Sequence, residues 1–317
     1  MTMKQPFFKL NTGASIPSLG FGSGTPISVE EMKAAVVCAI KLGYRHFDTA
    51  GLYGTEAGIG EGLAQALATG LVSREDIFLT TKLKHEDHGS QDVLPALQES
   101  LSALKMNYVD LFLIHAPLRT TRGAPFPPKE EDFLPVDIPA TWEAMEECFR
   151  KGLAKAIGVS NFSTKKLHDL LQHAKITPAV DQVELHPLWQ QEQLRDLCKR
   201  NCVQVIAWSP LGGLGKPWGS KSVIEHPVIQ EIALKHHKSP AQVIIRWLTE
   251  INVAPVVKSY NSQRLLENIN SFDFSLADED HKRIETIAQE RLGMWDALCN
   301  FTTSPYKSPF ELWDGEI

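Results

Sequence analysis

The stretch SVEEMKAAVVCAIKLGYRHFD (28–48) decides the fold. Its first part repeats apolar residues at helical spacing. It starts after Ser28, a side chain suited to capping the first free N–H groups. It stops at Gly43, the residue type that most easily closes a helix. RHFD (45–48) follows at once as a short strand centred on Phe47 and ending in a carboxylate. Seven more apolar segments recur along the chain: LGFG (19–22), IFLTT (77–81), DLFLI (110–114), AKAIGV (154–159), VDQVE (180–184), VQVIAW (203–208) and VAPVV (253–257). Amphipathic stretches lie between them, including TKKLHDLLQHAK (164–175) and QQEQLRDLCKRN (190–201).

Continuous apolar strands joined by helical crossovers specify a parallel sheet covered by helices. Eight such units favour a closed α/β architecture, a (β/α)8 barrel, over a doubly wound sheet. At 317 residues the chain is read as one barrel domain, 1–317. The opening FFKLNTGASIPSL (7–19) reads as a β-hairpin able to cap the barrel's bottom. Three excursions, 116–138, 212–224 and the tail from 290, are expected to shape a substrate site.

A net charge of −6 argues against nucleic acid or an anionic membrane as the main partner. With 43% hydrophobic and 22% charged residues the composition is that of a soluble globular protein, and a monomer is expected. Five cysteines cannot all pair and form no tight framework, which points to a reducing, cytoplasmic compartment. Cys198 and Cys202 have three residues between them, not the two of a CxxC pair, and no metal site is expected. The N-terminal MTMKQPFFKL lacks the apolar run of a signal peptide, and no window approaches the ~18 apolar residues of a membrane helix. The sequons at Asn161 and Asn300 are therefore read as coincidental.

Chemistry in such barrels sits at the carboxyl ends of the strands. Asp48, Lys82 and His115 stand at three consecutive strand ends, with Tyr53 in the loop after the first. A free tyrosine titrates near about 10, and a neighbouring ammonium is expected to lower that value. Asp48 would hold the ammonium in place. Tyr53 could then protonate a carbonyl oxygen as hydride reaches the carbon, and a neutral His115 could orient the carbonyl. Singly, each residue reads as an ordinary loop or surface group; three at consecutive strand ends with Tyr53 in the loop beside the first do not.

Rival motifs are absent. Gly20-Phe-Gly22-Ser-Gly24 and Gly58-Ile-Gly60-Glu-Gly62 lack the GxGxxG spacing of a dinucleotide-binding sheet. No Tyr-xxx-Lys, GxSxG or HExxH occurs. His85-Glu86-Asp87-His88 reads as a solvated polar loop. Lys258 and Ser259 precede a helix starting near Asn261 that carries Arg264, Glu267 and Asn268. This grouping can bind an anion, and a 2′-phosphate would fit, pointing to NADPH over NADH. A capped helix with one exposed arginine accounts for the same residues.

GYRHFDTAGLYGTEAGIGEGL (43–63), MNYVDLFLIHAP (106–117) with KGLAKAIGVSNF (151–162), and VVKSYNSQRLLENI (256–269) resemble, in order, the signatures of the aldo-keto reductases. The resemblance runs from end to end. TWEAMEECFRKGLAKAIGVSNFSTKKL, HPLWQQEQLRDLC and the ending PYKSPFELWDGEI are most similar to the plant branch containing codeinone, chalcone polyketide, methylecgonone and mugineic-acid-pathway reductases. It implies an NADPH-dependent reductase of a small-molecule ketone or aldehyde in plant specialised metabolism. By that resemblance Tyr53 is the general acid, tuned by Lys82 and Asp48, and His115 orients the carbonyl. Ser160, Asn161 and Gln182 match the residues that bind the nicotinamide carboxamide, with Gly22, Ser23 and Asp48 also on the cofactor side. Trp208 matches the ring stacked on the nicotinamide, Ser209 and Leu211 follow the pyrophosphate, and Lys258, Ser259, Arg264, Glu267 and Asn268 match the adenosine 2′-phosphate and adenine contacts.

The departures bear on substrate. Ala116 and Lys84 stand where many relatives have tryptophan, and Gly24 where aldose reductases have an aromatic ring. Trp208 replaces a more usual tyrosine or phenylalanine, and Val257 a proline. Gly24, Lys84 and Ala116 remove aromatic walls and imply a wider, less apolar pocket, bordered also by His115 and suited to a bulky or polar ketone. Two alternatives stay open: a broad detoxifying aldehyde reductase, and a non-catalytic cofactor-binding regulatory subunit.

Overall fold

The computed structural model describes residues 5–125, 127–300 and 302–317. Residues 1–4 of the N-terminus, Phe126 of the first excursion and Phe301 of the tail lie outside these. The chain opens with β1 (Phe7–Lys9) and β2 (Ser15–Pro17), paired antiparallel. Then follow β3 (Gly20–Gly22), α1 (Val29–Leu42), β4 (His46–Asp48), α2 (Glu56–Ala68), β5 (Phe78–Leu83), α3 (Val93–Leu104) and β6 (Leu111–Ile114). The first excursion is not irregular throughout: β7 (Arg119–Thr120) and β8 (Phe133–Leu134) pair as a small antiparallel sheet before α4 (Ile138–Arg150). The second half comprises β9 (Ile157–Ser160), α5 (Thr164–Leu171), β10 (Val180–Glu184), α6 (Glu192–Arg200) and β11 (Gln204–Trp208). It continues with α7 (Ser222–Glu225), α8 (Pro227–His236), α9 (Pro240–Glu250), β12 (Val253–Val257), α10 (Ser262–Ile269), α11 (Asp278–Glu285) and α12 (Pro309–Leu312).

The eight strands read from the sequence are the eight that close the barrel, in the order β3-β4-β5-β6-β9-β10-β11-β12. All neighbours run parallel, and β12 returns to β3 through Val256 opposite Gly20 and Val257 opposite Phe21. Gly20 is required at that seam: a Cβ there would lie 2.8 Å from His46 Nδ1 and 2.9 Å from a Val256 methyl. Inside the lower barrel, Phe78, Leu111, Leu113, Val180, Ile206 and Val256 form a core that Leu10 and Ile16 of the hairpin plug from below. Burying Ile16 completely contributes roughly 2 kcal/mol.

The helices cover the barrel as their caps dictate. Ser28 Oγ accepts from Glu31 N, Glu31 answers at Ser28 N, and Gly43 closes α1 with φ of 107°. The GIGEG run that fails as a phosphate loop has a packing reason instead. Cβ atoms at Gly58 and Gly62 would lie 2.6 Å from the Met32 and Val36 Cβ atoms, and one at Gly60 2.5 Å from Ala103 O. Small residues let α2 seat directly against α1 and α3. Among the described residues no helix is long and apolar enough to cross a membrane, and no group of side chains is arranged to hold a metal ion.

Candidate active site at the carboxyl ends of the strands

Parallel closure places the carboxyl ends of all eight strands on one rim. Asp48 ends β4, Lys82 lies in β5, His115 follows β6, Ser160 ends β9 and Trp208 ends β11. Tyr53 closes a single 3-10 turn over Gly51–Tyr53 that folds back over the barrel mouth, with its N–H on Ala50 O at 3.0 Å.

The four side chains converge. Lys82 Nζ donates to Asp48 Oδ1 at 2.6 Å and Thr49 O at 2.9 Å, and lies 3.5 Å from the Tyr53 hydroxyl. That hydroxyl is 3.4 Å from His115 Nε2, with the two rings edge to face. Gln182 Nε2 donates to Asp48 Oδ2 at 2.7 Å, so both carboxylate oxygens are occupied. Lys82 and Asp48 are buried, which means that a broken pair would leave an uncompensated charge in the interior.

The electrostatics correct one expectation. Burial raises the Tyr53 hydroxyl above its ordinary value, and the pull of Lys82 in the other direction does not overcome it. Tyr53 is therefore a protonated acid at rest rather than a phenol lowered by its lysine. Burial opposes the Lys82 ammonium too, but Asp48 and Tyr53 together outweigh it and hold Lys82 above the usual lysine value. Burial, reinforced by the charge on Lys82, keeps His115 well below the ordinary imidazole value, hence neutral.

A second correction concerns His85-Glu86-Asp87-His88. It is not a solvated loop: His85 and His88 are buried, at 6% and 3% exposure, and the His85 ring packs 5.6 Å from that of His115. The segment winds into a 3-10 turn directly after β5 and packs against β7, with both histidines buried. Only tertiary packing decides this, since the local sequence is uniformly polar.

Among the residues expected to face a cofactor, Ser160 Oγ donates to Gln182 O at 2.7 Å. Asn161 Nδ2 reaches His115 O at 2.8 Å and Ser160 Oγ at 3.0 Å, and Asn161 Oδ1 accepts from Trp208 Nε1 at 2.8 Å. Asn161 and Ser209 both take left-handed backbone, φ of 64° and 49°, turning the chain sharply where β9 and β11 end. Non-glycine residues seldom adopt that conformation outside functional or tightly constrained turns. Ser23 Oγ donates to Asp48 O at 3.0 Å, following Gly22 at the end of β3, and Leu211 packs against the outer core.

Asn261 caps α10 by accepting from Arg264 N at 3.0 Å, and Ser259 Oγ accepts from Asn261 N at 3.2 Å. Lys258 and Arg264 are exposed and make no ion pair among the described residues, which suits an added phosphate. Glu267 accepts from Ser239 Oγ, and Asn268 is buried with its amide bonded to Tyr44. Sequence reasoning missed Lys216. Its ammonium donates to Gly24 O at 2.5 Å and is lowered by burial and by the charge of Lys258. Two neighbouring cations bridging the 212–224 excursion and β12 again fit an anion. The only hint in sequence was a lysine inside a glycine-rich loop.

The pocket rim departs from a simple widening. Gly24 does face the site: a Cβ there would lie 3.6 Å from Tyr53 Cζ. Lys84 lays its stem along Gly51 and spends its charge on Glu86 at 2.9 Å and Asp87 at 3.5 Å. Ala116 is wholly buried with Leu118 and Leu298, under Trp295 and Tyr306. The tail thus refills the volume that a tryptophan would occupy at 116. It is sewn down by Glu184, which accepts from Leu292 N and Gly293 N at 3.0 Å, and by buried Arg291, whose guanidinium lies 3.9 Å from the Trp313 ring centre.

Residues 18–289 match the family model described as the Aldo/keto reductase family. Deoxymugineic acid synthase 1 of Zea mays is 48% identical, covering 95% of this chain and 97% of that protein. Protein REDOX 2 of Catharanthus roseus is 45% identical over 98% of both, and rhazimal reductase 2 of Alstonia scholaris 43% identical over 99% of both. A Bombyx mori aldo-keto reductase, solved in complex with NADP, superimposes with a TM-score of 0.87 at 35% identity, covering 96% of this chain and 99% of that one. With eight parallel strands closed in one barrel and Asp48, Tyr53, Lys82 and His115 gathered on its rim, the chain belongs to the aldo/keto reductase family.

Proposed function

We propose that the 317 residues act as one catalytic unit, an NADPH-dependent reductase converting a ketone or aldehyde of plant specialised metabolism into an alcohol. The observation that carries this reading is the Tyr53 hydroxyl standing 3.5 Å from a buried ammonium and 3.4 Å from a neutral imidazole. A reduced nicotinamide, when bound, supplies the hydride. Ser160, Asn161, Gln182 and Trp208 would hold its carboxamide and ring, with Gly22, Ser23, Ser209 and Leu211 along its length. Lys258, Ser259, Arg264, Glu267 and Asn268 would hold the adenosine end, with the unpaired Lys258 and Arg264 taking the 2′-phosphate.

The protein's own part is proton delivery and orientation. His115 Nε2, as the N–H tautomer, donates to the carbonyl oxygen and fixes the face presented. Tyr53 gives that oxygen its proton as negative charge develops there. Lys82 stabilises the phenolate left behind, and Asp48, held by Gln182, anchors Lys82. The raised Tyr53 value suits this order, because the acid stays loaded until its proton is needed.

Plant relatives named deoxymugineic acid synthase and rhazimal reductase support a plant metabolite carbonyl, ketone or aldehyde, as substrate. Gly24 beside Tyr53 leaves room for a ring, while Ala116 beneath Trp295 and Tyr306 does not. The test is NADPH oxidation against a panel of cyclic ketones, polar ketones and short aldehydes. Turnover of bulky or polar ketones above short aldehydes is expected. Preference for reactive short aldehydes would replace this reading with detoxification, and NADPH binding without turnover on any carbonyl would replace it with a regulatory subunit.

A further inference from the structure

The Trp208–Asn161 contact is a hydrogen bond that the commoner ring at this position could not make. The indole Nε1–H donates to Asn161 Oδ1 at 2.8 Å. Asn161 Nδ2 donates to His115 O at 2.8 Å and to Ser160 Oγ at 3.0 Å. The amide therefore has one orientation. Turning it over would set Nδ2 against the indole N–H and Oδ1 against the His115 carbonyl, two repulsive contacts in place of two bonds. Phenylalanine has no donor, and tyrosine carries its hydroxyl at the far tip of the ring.

Trp208 is itself held in place. It lies parallel to Trp295, with 16° between the planes and 5.9 Å between centres, and meets Trp218 edge-on at 5.4 Å. Gly293 passes so close that a Cβ there would be 3.0 Å from Trp208 Cη2, and its N–H is fixed on Glu184. The C-terminal tail thus backs the ring, and the ring sets the amide.

We propose that Trp208 is a positioning residue whose indole N–H locks the Asn161 amide, so that Asn161 presents its free Oδ1 lone pair to the cofactor carboxamide while its Nδ2 steadies the His115 main chain. This rests on the NADPH-dependent reading above. A hydrogen bond whose loss strands a buried acceptor is worth about tenfold in an equilibrium constant.

The experiment is a double-mutant cycle of W208F and N161A, read as NADPH dissociation constants by fluorescence quenching, with kcat and KM for one carbonyl substrate. Trp208→Phe keeps an aromatic face and removes the donor, and Trp208→Tyr repeats the test should the phenylalanine variant fold poorly. Expected are an NADPH affinity about tenfold weaker in W208F and W208Y, a larger loss in N161A, and a double variant no weaker than N161A alone. Unchanged affinity in W208F, or losses that multiply in the double variant, would overturn the proposal. Multiplying losses would mean that Trp208 contributes only its ring or its packing. Failure of the wild-type protein to bind NADPH would instead sink the cofactor reading itself, so the two failures are distinct.

Discussion

Replacing Lys82 by methionine removes the ammonium while keeping much of the stem's volume. Lys82 is 1% exposed and its Nζ lies 3.5 Å from the Tyr53 hydroxyl. At that distance a unit charge opposite a developing phenolate, in an effective dielectric of about 20, is worth roughly 4–5 kcal/mol at most. Each ~1.4 kcal/mol is tenfold in rate, so turnover should fall by about three orders of magnitude. Because the ammonium is spent on Asp48, Thr49 and Tyr53, NADPH affinity should change by less than about threefold, a shift below ~0.7 kcal/mol. Stability should drop as well, since Asp48 would keep only its bond from Gln182; a broken buried pair costs about 3–5 kcal/mol. Steady-state NADPH oxidation, cofactor fluorescence titration and thermal melts read the three effects separately. Asp48→Asn added to Lys82→Met should recover much of the melting temperature and none of the turnover. A folded Lys82→Met protein within about tenfold of wild-type kcat would refute the reasoning, because no charge-stabilised phenolate would then be needed.

Acid should destabilise the fold in a definite window. His46 and His85 are held at about 4 by burial, against 6.5 when free. Between those values the unfolded chain binds more protons, so stability falls as pH drops, by on the order of 3 kcal/mol for each histidine. Melting temperature measured from pH 7 to pH 4 should fall steeply, and less steeply for His46→Phe; equal slopes would contradict the assignment. Gly24→Trp should set a ring across Tyr53 and raise KM for cyclic ketones at least tenfold more than for short aldehydes; a uniform change would show that position 24 does not line the pocket. Arg264→Ala should weaken NADPH about tenfold, as a lost charge-assisted contact of roughly 1.5 kcal/mol would, while NADH binding stays the same. Equal loss for both cofactors would remove Arg264 from a 2′-phosphate site.

Periodicity, caps and strand-end residues come from local physics, and they were legible. Helix capping at Ser28 and Gly43, the eight apolar strands, and the positions of Asp48, Lys82 and His115 depend on residues within a few places of one another. A barrel closed from parallel strands then forces those three ends onto one rim, which is why four individually weak signals pointed to one site. Long-range packing decided the rest. The polarity of His85-Glu86-Asp87-His88 says nothing of a burial imposed by a neighbouring strand. The sign of the Tyr53 shift depends on whether desolvation exceeds the pull of Lys82, and desolvation is set by the whole surrounding fold. Ala116 read as an opened wall because the residues that refill it, Trp295, Leu298 and Tyr306, arrive from some 180 positions later in the chain. The sequence alone determined the barrel and the reacting groups; the tertiary structure decided their protonation and the pocket's shape, because both depend on contacts between segments far apart in the chain.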